Sequence, residues 1–202
     1  TTAGTEFRNE GIRSNVLGTD LKEPQEVPSE EGKFFTKGAN RTNISFFLEH
    51  NILLHRFTLS AGLLANYHTD LDNKIRLYPG IDASYRIADN IKVYGSWNRA
   101  LRMPTFTDLY YKSKTNIGNP NLLPEESEAF EAGVKYGNHF LNGHIAGFYR
   151  KGSNMIDWVK AKPDDLWESK NLTEVNNLGI EANITLLPRE LMGESFFIHN
   201  AS

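Results

Sequence analysis

The sequence predicts an all-β chain, an antiparallel meander of about nine strands with the proportions of a partial wall of a large transmembrane β-barrel. Three observations predict it. Apolar and polar residues alternate over most of the chain, and sustained period 2 argues strand rather than helix. The connections between the alternating runs are by turns short and long, with the long ones all on one end. No run of about 18 apolar residues occurs, so no transmembrane helix is expected.

Residues 1–12 form a short strand candidate. Residues 14–38 follow, with Pro24, Pro28, Gly32 and the acids Asp20, Glu23, Glu26, Glu30 and Glu31; they lack any period and read as a long solvated loop. In 41–50, Ile44, Phe46 and Leu48 alternate with Asn43, Ser45 and Glu49, and 51–54 reads as a short link. The clearest strand is 56–68. Phe57, Leu59, Ala61, Leu63, Ala65 and Tyr67 share one face, and only Leu64 breaks the alternation. A polar connection at 69–76 leads to a strand over 77–87, where Ile81, Ala83, Tyr85 and Ile87 oppose Asp82, Ser84 and Arg86. Pro79 belongs near that strand's start or at an irregular edge. After a turn at 88–90, Ile91, Val93, Gly95 and Trp97 oppose Lys92, Tyr94, Ser96 and Asn98.

The connection at 100–125 comes next, rich in Pro, Asn, Thr and Tyr. A stretch of that length without a clear strand is unusual in a compact domain and is usually functional. Phe130, Ala132, Val134 and Tyr136 then oppose Glu131, Gly133 and Lys135. Beyond a turn at Gly137-Asn138, residues 140–151 form a strand whose faces differ less in polarity. Residues 152–174 read as another long connection, 177–186 as a strand, 188–193 as a turn, and Ser195 opens a last strand.

Period 2 alone fits a soluble β-sandwich or jelly roll equally well. The loop pattern favours the membrane barrel, whose turns are short on one side and long on the other. Several runs also approach the ~9–11 residues that a tilted membrane strand needs. The aromatics Tyr67, Tyr85, Trp97, Tyr136 and Tyr149 stand near strand ends, where interfacial girdles lie. The faces are assigned accordingly: Phe57, Leu59, Ala61, Leu63, Ile81, Ala83, Val134, Ile180 and Ile184 point to lipid.

Composition agrees. Hydrophobic content is 39% and mean hydropathy −0.48; a barrel dilutes its apolar signal because only one face of each strand meets lipid. The 22 basic and 25 acidic residues are mixed along the chain, net −3, which offers no electrostatic basis for nucleic acid as a partner. Cysteine is absent, so disulfides and thiolate chemistry are excluded. The chain opens inside an apparent strand and stops in an apolar run, and we expect it to be a piece of a longer protein.

No enzyme constellation stands out: no phosphate loop, nucleophile elbow, HExxH or Cys pair. The six histidines lie mostly near strand ends and turns, and the prolines break up the acids of 20–31, so neither a metal nor a cofactor is expected. The best ligand-binding candidates are Tyr110, Tyr111, Lys112, Lys114 and Asn116, aromatic and cationic groups in one exposed stretch, with Trp158 as a weaker addition. Arg56, Arg86, Lys92, Glu131, Lys135 and Glu181 fall on the polar faces of strands. In a soluble sheet they form a wet face; in a large barrel they line the interior.

The chain also resembles a known family. Arg102-x-Pro104 with Leu109-Tyr110, then Gly118-Asn119-Pro120-Asn121-Leu122, Pro124-Glu125 and Glu131-x-Gly133 form an ordered series similar to the barrel of TonB-dependent outer-membrane receptors. Phe148-Tyr149-Arg150 followed by Met155-Ile156-Asp157-Trp158, and Asn177-x-Gly179-Ile180-Glu181, resemble its next hairpin and strand. Met103 stands where the family usually has Ala. The resemblance implies capture of a scarce, bulky nutrient, a cobalamin-like corrinoid or a ferric siderophore, and its import across the Gram-negative outer membrane with energy supplied by TonB. Haem is disfavoured because no histidine lies within 103–117. It further implies that a plug domain faces the six lumen residues, and that the plug, the TonB-engaging segment and the C-terminal strand lie outside the 202-residue sequence, itself one barrel fragment. The rival expectations are a passive porin and a soluble β recognition domain.

Overall fold

The computed structural model describes residues 1–69 and 74–187. Ten strands and one short helix follow in order: β1 (Thr2–Ser14), β2 (Thr19–Glu26), β3 (Phe34–Leu53), β4 (Phe57–His68), β5 (Arg76–Ala88), β6 (Ile91–Arg102), α1 (Phe106–Tyr110), β7 (Asn116–Ile117), β8 (Glu125–Gly137), β9 (Leu141–Val159) and β10 (Trp167–Leu186). Eight of them form one antiparallel meander in the order β1-β3-β4-β5-β6-β8-β9-β10. Among the described residues no helix is long and apolar enough to cross a membrane.

Two stretches read as loops are largely strand. The stretch 14–38 contains β2, which folds back on β3 with a register shift between Asp20 and Gln25, and β3 itself begins at Phe34. The stretch 152–174 is mostly the far end of a β9–β10 hairpin, with residue pairing from Glu168↔Val159 to Leu186↔Leu141. Neither stretch alternates cleanly, because their strands project past the apolar part of the sheet, where 14–38 meets water and 152–174 is covered by polar contacts. β3 also runs through the expected link at 51–54 as far as Leu53. Residues 70–73 of the expected connection, the turn at 188–193 and the strand opening at Ser195 lie outside the described residues.

The register aligns the apolar parity of every long strand. Leu48 faces Leu63, Ala61 faces Ile81, Ile81 faces Trp97, Trp97 faces Phe130, Phe130 faces Tyr149 and Tyr149 faces Leu178. A second row runs Leu59–Ala83–Gly95–Ala132–Gly147–Ile180. One face of the sheet is therefore a continuous apolar surface, and it is open: Leu63, Ile81, Phe130, Ile145, Leu178 and Ile180 are all exposed. All nine residues assigned to lipid lie on it. A one-residue slip anywhere would turn a whole strand's apolar set to the other face, so the pattern itself fixes the register. Along β4 the outward run 57–67 measures ~33 Å at ~3.3 Å per residue, and ~23 Å once tilted by ~45°, which matches the ~25 Å apolar band of a membrane barrel.

The opposite, polar face is concave. Arg41, on that face of β3, donates to the carbonyl oxygen of Pro104, which follows β6, at 2.6 Å. β4 and β5 lie between β3 and β6, so the chain leaving β6 arches across the polar side of the wall. Pro79 also finds its place: β5 pairs with β6 only as far as Gly80↔Asn98, while β4 continues beside β5 to Arg76. Proline supplies no N–H to a ladder, and the β5–β6 ladder ends beside it.

Candidate functional site

The 100–125 connection is neither structureless nor free in solvent. It forms a strap across the concave face on the side of the long connections, anchored at three points. The first anchor is Arg41 on β3. Besides holding the Pro104 carbonyl, its guanidinium stacks 4.5 Å from the Phe106 ring centroid, and its Nε binds Glu10 Oε2 at 2.6 Å. Pro104 is fully buried there. Thr105 then starts α1 with a capping box: its hydroxyl accepts from the Asp108 N–H (3.1 Å) while the Asp108 carboxylate accepts from the Thr105 N–H (3.0 Å). This satisfies two donors that a helix start leaves open. Leu109 packs inward at 6% exposure.

The second anchor joins three strands. The Arg102 guanidinium at the end of β6 donates two hydrogen bonds of 2.5 Å to the Glu125 carboxylate at the start of β8. The same carboxylate accepts from the Ile156 N–H of β9 at 2.8 Å. Glu125 is nearly buried, whereas Arg102 keeps half its side chain in water. The pair sits five residues past Trp97 and Phe130, where the apolar face ends in the charges Arg99, Glu126, Glu128 and Lys151. Here the hydrogen bond from Arg102 holds the Glu125 carboxyl below its ordinary value, helped by the Ile156 N–H and the Arg102 charge, and burial opposes the shift.

The third anchor is β10. β7 adds in parallel to its start, Asn116 opposite Trp167, and the Thr115 carbonyl accepts from the Trp167 N–H at 2.8 Å. Asn171 clamps the end of the strap. Its side chain accepts from the Leu123 N–H (2.9 Å) and donates to the carbonyls of Leu123 (2.9 Å) and Asn154 (2.7 Å). Within the strap, the Asn119 N–H donates to the Asp108 carbonyl (2.9 Å) and the Gly118 N–H to that of Tyr111 (2.6 Å). Leu122 is buried.

Gly118 is required by this closure. A Cβ there would stand 2.9 Å from the Asp108 oxygen, the Leu109 carbonyl carbon and the Tyr110 nitrogen, all backbone atoms of α1. Gly118→Ala should therefore lift 118–122 off α1 at a cost of about 1–3 kcal/mol. Limited proteolysis of the full-length protein checks this, with faster cleavage between Lys112 and Asn121 as the expected result.

The ligand candidates are dispersed along the strap. Tyr111 and Trp158 come together edge to face, ring centroids 6.4 Å apart, and both are half-buried. Tyr110 turns the other way and stacks on Phe106 at 6.3 Å. Asn116 is half-buried in β7 and accepts from the Thr115 hydroxyl at 2.7 Å. Lys112 and Lys114 are exposed. The expectation of one exposed stretch holds for the two lysines only, because the tyrosines pack the strap onto its neighbours. Arg56, Arg86, Lys92, Glu131, Lys135 and Glu181 all lie on the concave polar face by register. Glu131 accepts from the Tyr94 hydroxyl at 3.0 Å, and Glu181 lies 3.6 Å from the His144 ring. No group of three metal-ligating side chains occurs among the described residues.

Reading the sequence missed the anchors. Arg102 and Glu125 were visible as members of Arg-x-Pro and Pro-Glu, and their opposite charges at the two ends of the connection were a usable signal. Arg41 and Asn171 carried none, since each reaches its partner over 63 and 48 positions.

The beta-barrel model of the TonB dependent receptor-like family matches residues 1–197. The chain therefore belongs to the TonB-dependent receptor barrels, a family of receptors and transporters. Particular relatives are vitamin B12 transporters called BtuB. That of Vibrio vulnificus is 33% identical over 150 residues, 71% of this chain and 24% of that protein. That of Photobacterium profundum is 32% identical over 101 residues, 48% of this chain and 16% of that protein. The chain thus spans about a quarter or less of the curated relatives it matches. In fold it is similar to the siderophore receptor PirA from Pseudomonas aeruginosa, with TM-score 0.71 and 20% identity over 90% of this chain and 32% of that one. It is also similar to the ferric enterobactin receptor PfeA of the same organism, with TM-score 0.70 and 19% identity over 89% of this chain and 30% of that one.

Proposed function

We propose that this chain is part of the wall of an outer-membrane receptor that captures a cobalamin-like corrinoid and imports it with TonB-supplied energy. The observation that carries the reading is the pairing of a band-high apolar face with a concave polar face crossed by an ordered strap. In a closed barrel the apolar face meets outer-membrane lipid, and the polar face encloses a lumen in which a plug domain sits. The strap then lies at the outer mouth of that lumen, where an incoming ligand first meets the wall. The plug, the TonB-engaging segment and the C-terminal strand belong to the rest of the parent protein. Identity above 30% to vitamin B12 transporters supports the corrinoid over a ferric siderophore; the likeness to siderophore receptors supports the fold alone.

A bulky ligand draws most of its affinity from a few aromatic or cationic anchors. In this reading those are Tyr110, Tyr111, Lys112 and Trp158, with Lys114 and Asn116 at the margin. Cyanocobalamin binding to the full-length receptor in outer membranes tests it. Tyr110→Ala with Tyr111→Ala should weaken binding by about tenfold or more while barrel assembly persists. Unchanged affinity in an assembled double variant leaves the strap with structural work only. Saturable binding of a ferric siderophore in place of cyanocobalamin moves the receptor to the siderophore class, and diffusive uptake without binding makes it a porin.

A further inference from the structure

Arg41 makes three different contacts with one guanidinium group. Its Nε donates to Glu10 Oε2 on β1, its Nη1 donates to the Pro104 carbonyl, and its carbon lies 4.5 Å from the centroid of the Phe106 ring. The Arg41 side chain is only 11% exposed. With Glu10, Asn66 and His68 it lines a cavity of about 400 Å³ to which none of the ligand candidates contributes. Phe106 carries the arrangement one step further. Its ring stacks on that of Tyr110, one helical turn on, at 6.3 Å and with 23° between the planes. A line of contacts therefore runs from β1 through β3 into α1: Glu10, Arg41, Phe106, Tyr110. Tyr111 rests instead edge-on against Trp158 of β9.

We infer that Arg41 is a positioning residue for the ligand site: without reaching the ligand, it fixes the Phe106 ring and, through that ring, the direction of Tyr110. The inference rests on the proposed role of Tyr110 as a ligand anchor. The neighbouring contacts keep the effect local. The Thr105–Asp108 capping box starts α1 from within the strap. The Asn119 N–H bonded to the Asp108 carbonyl, and the Arg102–Glu125 pair, hold the rest of the strap. What Arg41 adds is a fixed plane beside a ring, and a ring so held leaves its stacked neighbour fewer orientations. An aromatic anchor placed before the ligand arrives binds more tightly, because less rotamer freedom is lost on binding. Lysine is no substitute. Its ammonium keeps the charge opposite Glu10, but it has no plane to lay on Phe106 and no fork to reach both Glu10 and Pro104.

The test uses the full-length receptor in lipid nanodiscs, with fluorotyrosine in place of Tyr110 or of Tyr111 and cyanocobalamin as the probe ligand. Arg41→Lys should shift and broaden the fluorine resonance at Tyr110, leave that at Tyr111 in place, and weaken cyanocobalamin binding about fivefold. In double-variant cycles its effect should vanish in the Tyr110→Ala background and multiply in full with that of Trp158→Ala. Phe106→Leu keeps the apolar bulk and removes the ring; it should give the same pattern and serves if Arg41→Lys fails to assemble. The Asn119 amide should exchange at the wild-type rate in both variants. An unmoved Tyr110 resonance overturns the proposal. So do losses that multiply equally with Tyr110→Ala and Trp158→Ala, or a quickened Asn119 amide, since Arg41 then only holds the strap together. The corrinoid reading fails separately: a receptor whose Tyr110 resonance responds to Arg41→Lys but which binds no cyanocobalamin refutes that reading and keeps the positioning of Tyr110.

Discussion

Leu63→Arg is expected to cost the full-length receptor about 2–4 kcal/mol of folding stability in lipid, the penalty for a cation facing the bilayer midplane. Leu63 lies toward the middle of the outward run Phe57–Tyr67 of β4, between Leu48 on β3 and Pro79 on β5, and is exposed. Neither neighbour offers a polar group to an arginine there, and either end of the band lies several residues away. Ser60→Arg on the same strand is the control. Ser60 lies on the concave face opposite Asp82 and Asn51, and donates to Glu49 at 3.3 Å. A cation there gains acidic neighbours in a wet environment, so its effect should stay within about 0.5 kcal/mol. Urea unfolding in lipid vesicles reads both. Equal effects of the two substitutions would show that the apolar face does not meet lipid.

The faces were legible in the sequence because alternation along a strand states which side each residue takes, and the register across strands then has one solution. The fold class, the meander order of the eight long strands and the apolar surface follow from that. The projecting ends of β3, β9 and β10 were not legible: at the start of β10 Glu168, Lys170 and Asn171 are half-buried by polar contacts with the strap and with β9, so no apolar alternation marks them. β2 escaped for a related reason, since Pro24 interrupts it and its register shifts there. The strap was visible as a long connection of unusual composition. Its course was not, because it depends on single side chains from distant strands, such as Arg41 and Asn171.

Glu125→Ala is expected to loosen the strap and the β9–β10 projection together, by about 2–3 kcal/mol, because it removes a nearly buried carboxylate that accepts three hydrogen bonds. Arg102 is 56% exposed and can rehydrate, which keeps the loss below that of breaking a fully buried pair. The Ile156 N–H is left without its acceptor, beyond the last β8–β9 partner pair at Glu126↔Ser153. Amide exchange at Ile156 and Leu123 in the full-length receptor should quicken, while exchange in the apolar band, at Val134 and Ile145, stays slow. The pH dependence separates charge from packing. The folded carboxyl is held below its ordinary value by Arg102, so its stabilising contribution is complete above the usual carboxylate range of about 4 and is lost as pH falls through the lowered folded value. Protection of the Ile156 amide in the wild type should therefore decline on acidification below about pH 4. Glu125→Gln, which keeps an oxygen for the Ile156 N–H but cannot titrate, should show weaker protection that does not change across that window. A parallel decline in both proteins would place the acid-sensitive contact elsewhere, with the Glu10–Arg41 pair next in line, since Arg41 holds the other end of the same strap and Glu10 is likewise kept below its ordinary value by the Arg41 hydrogen bond.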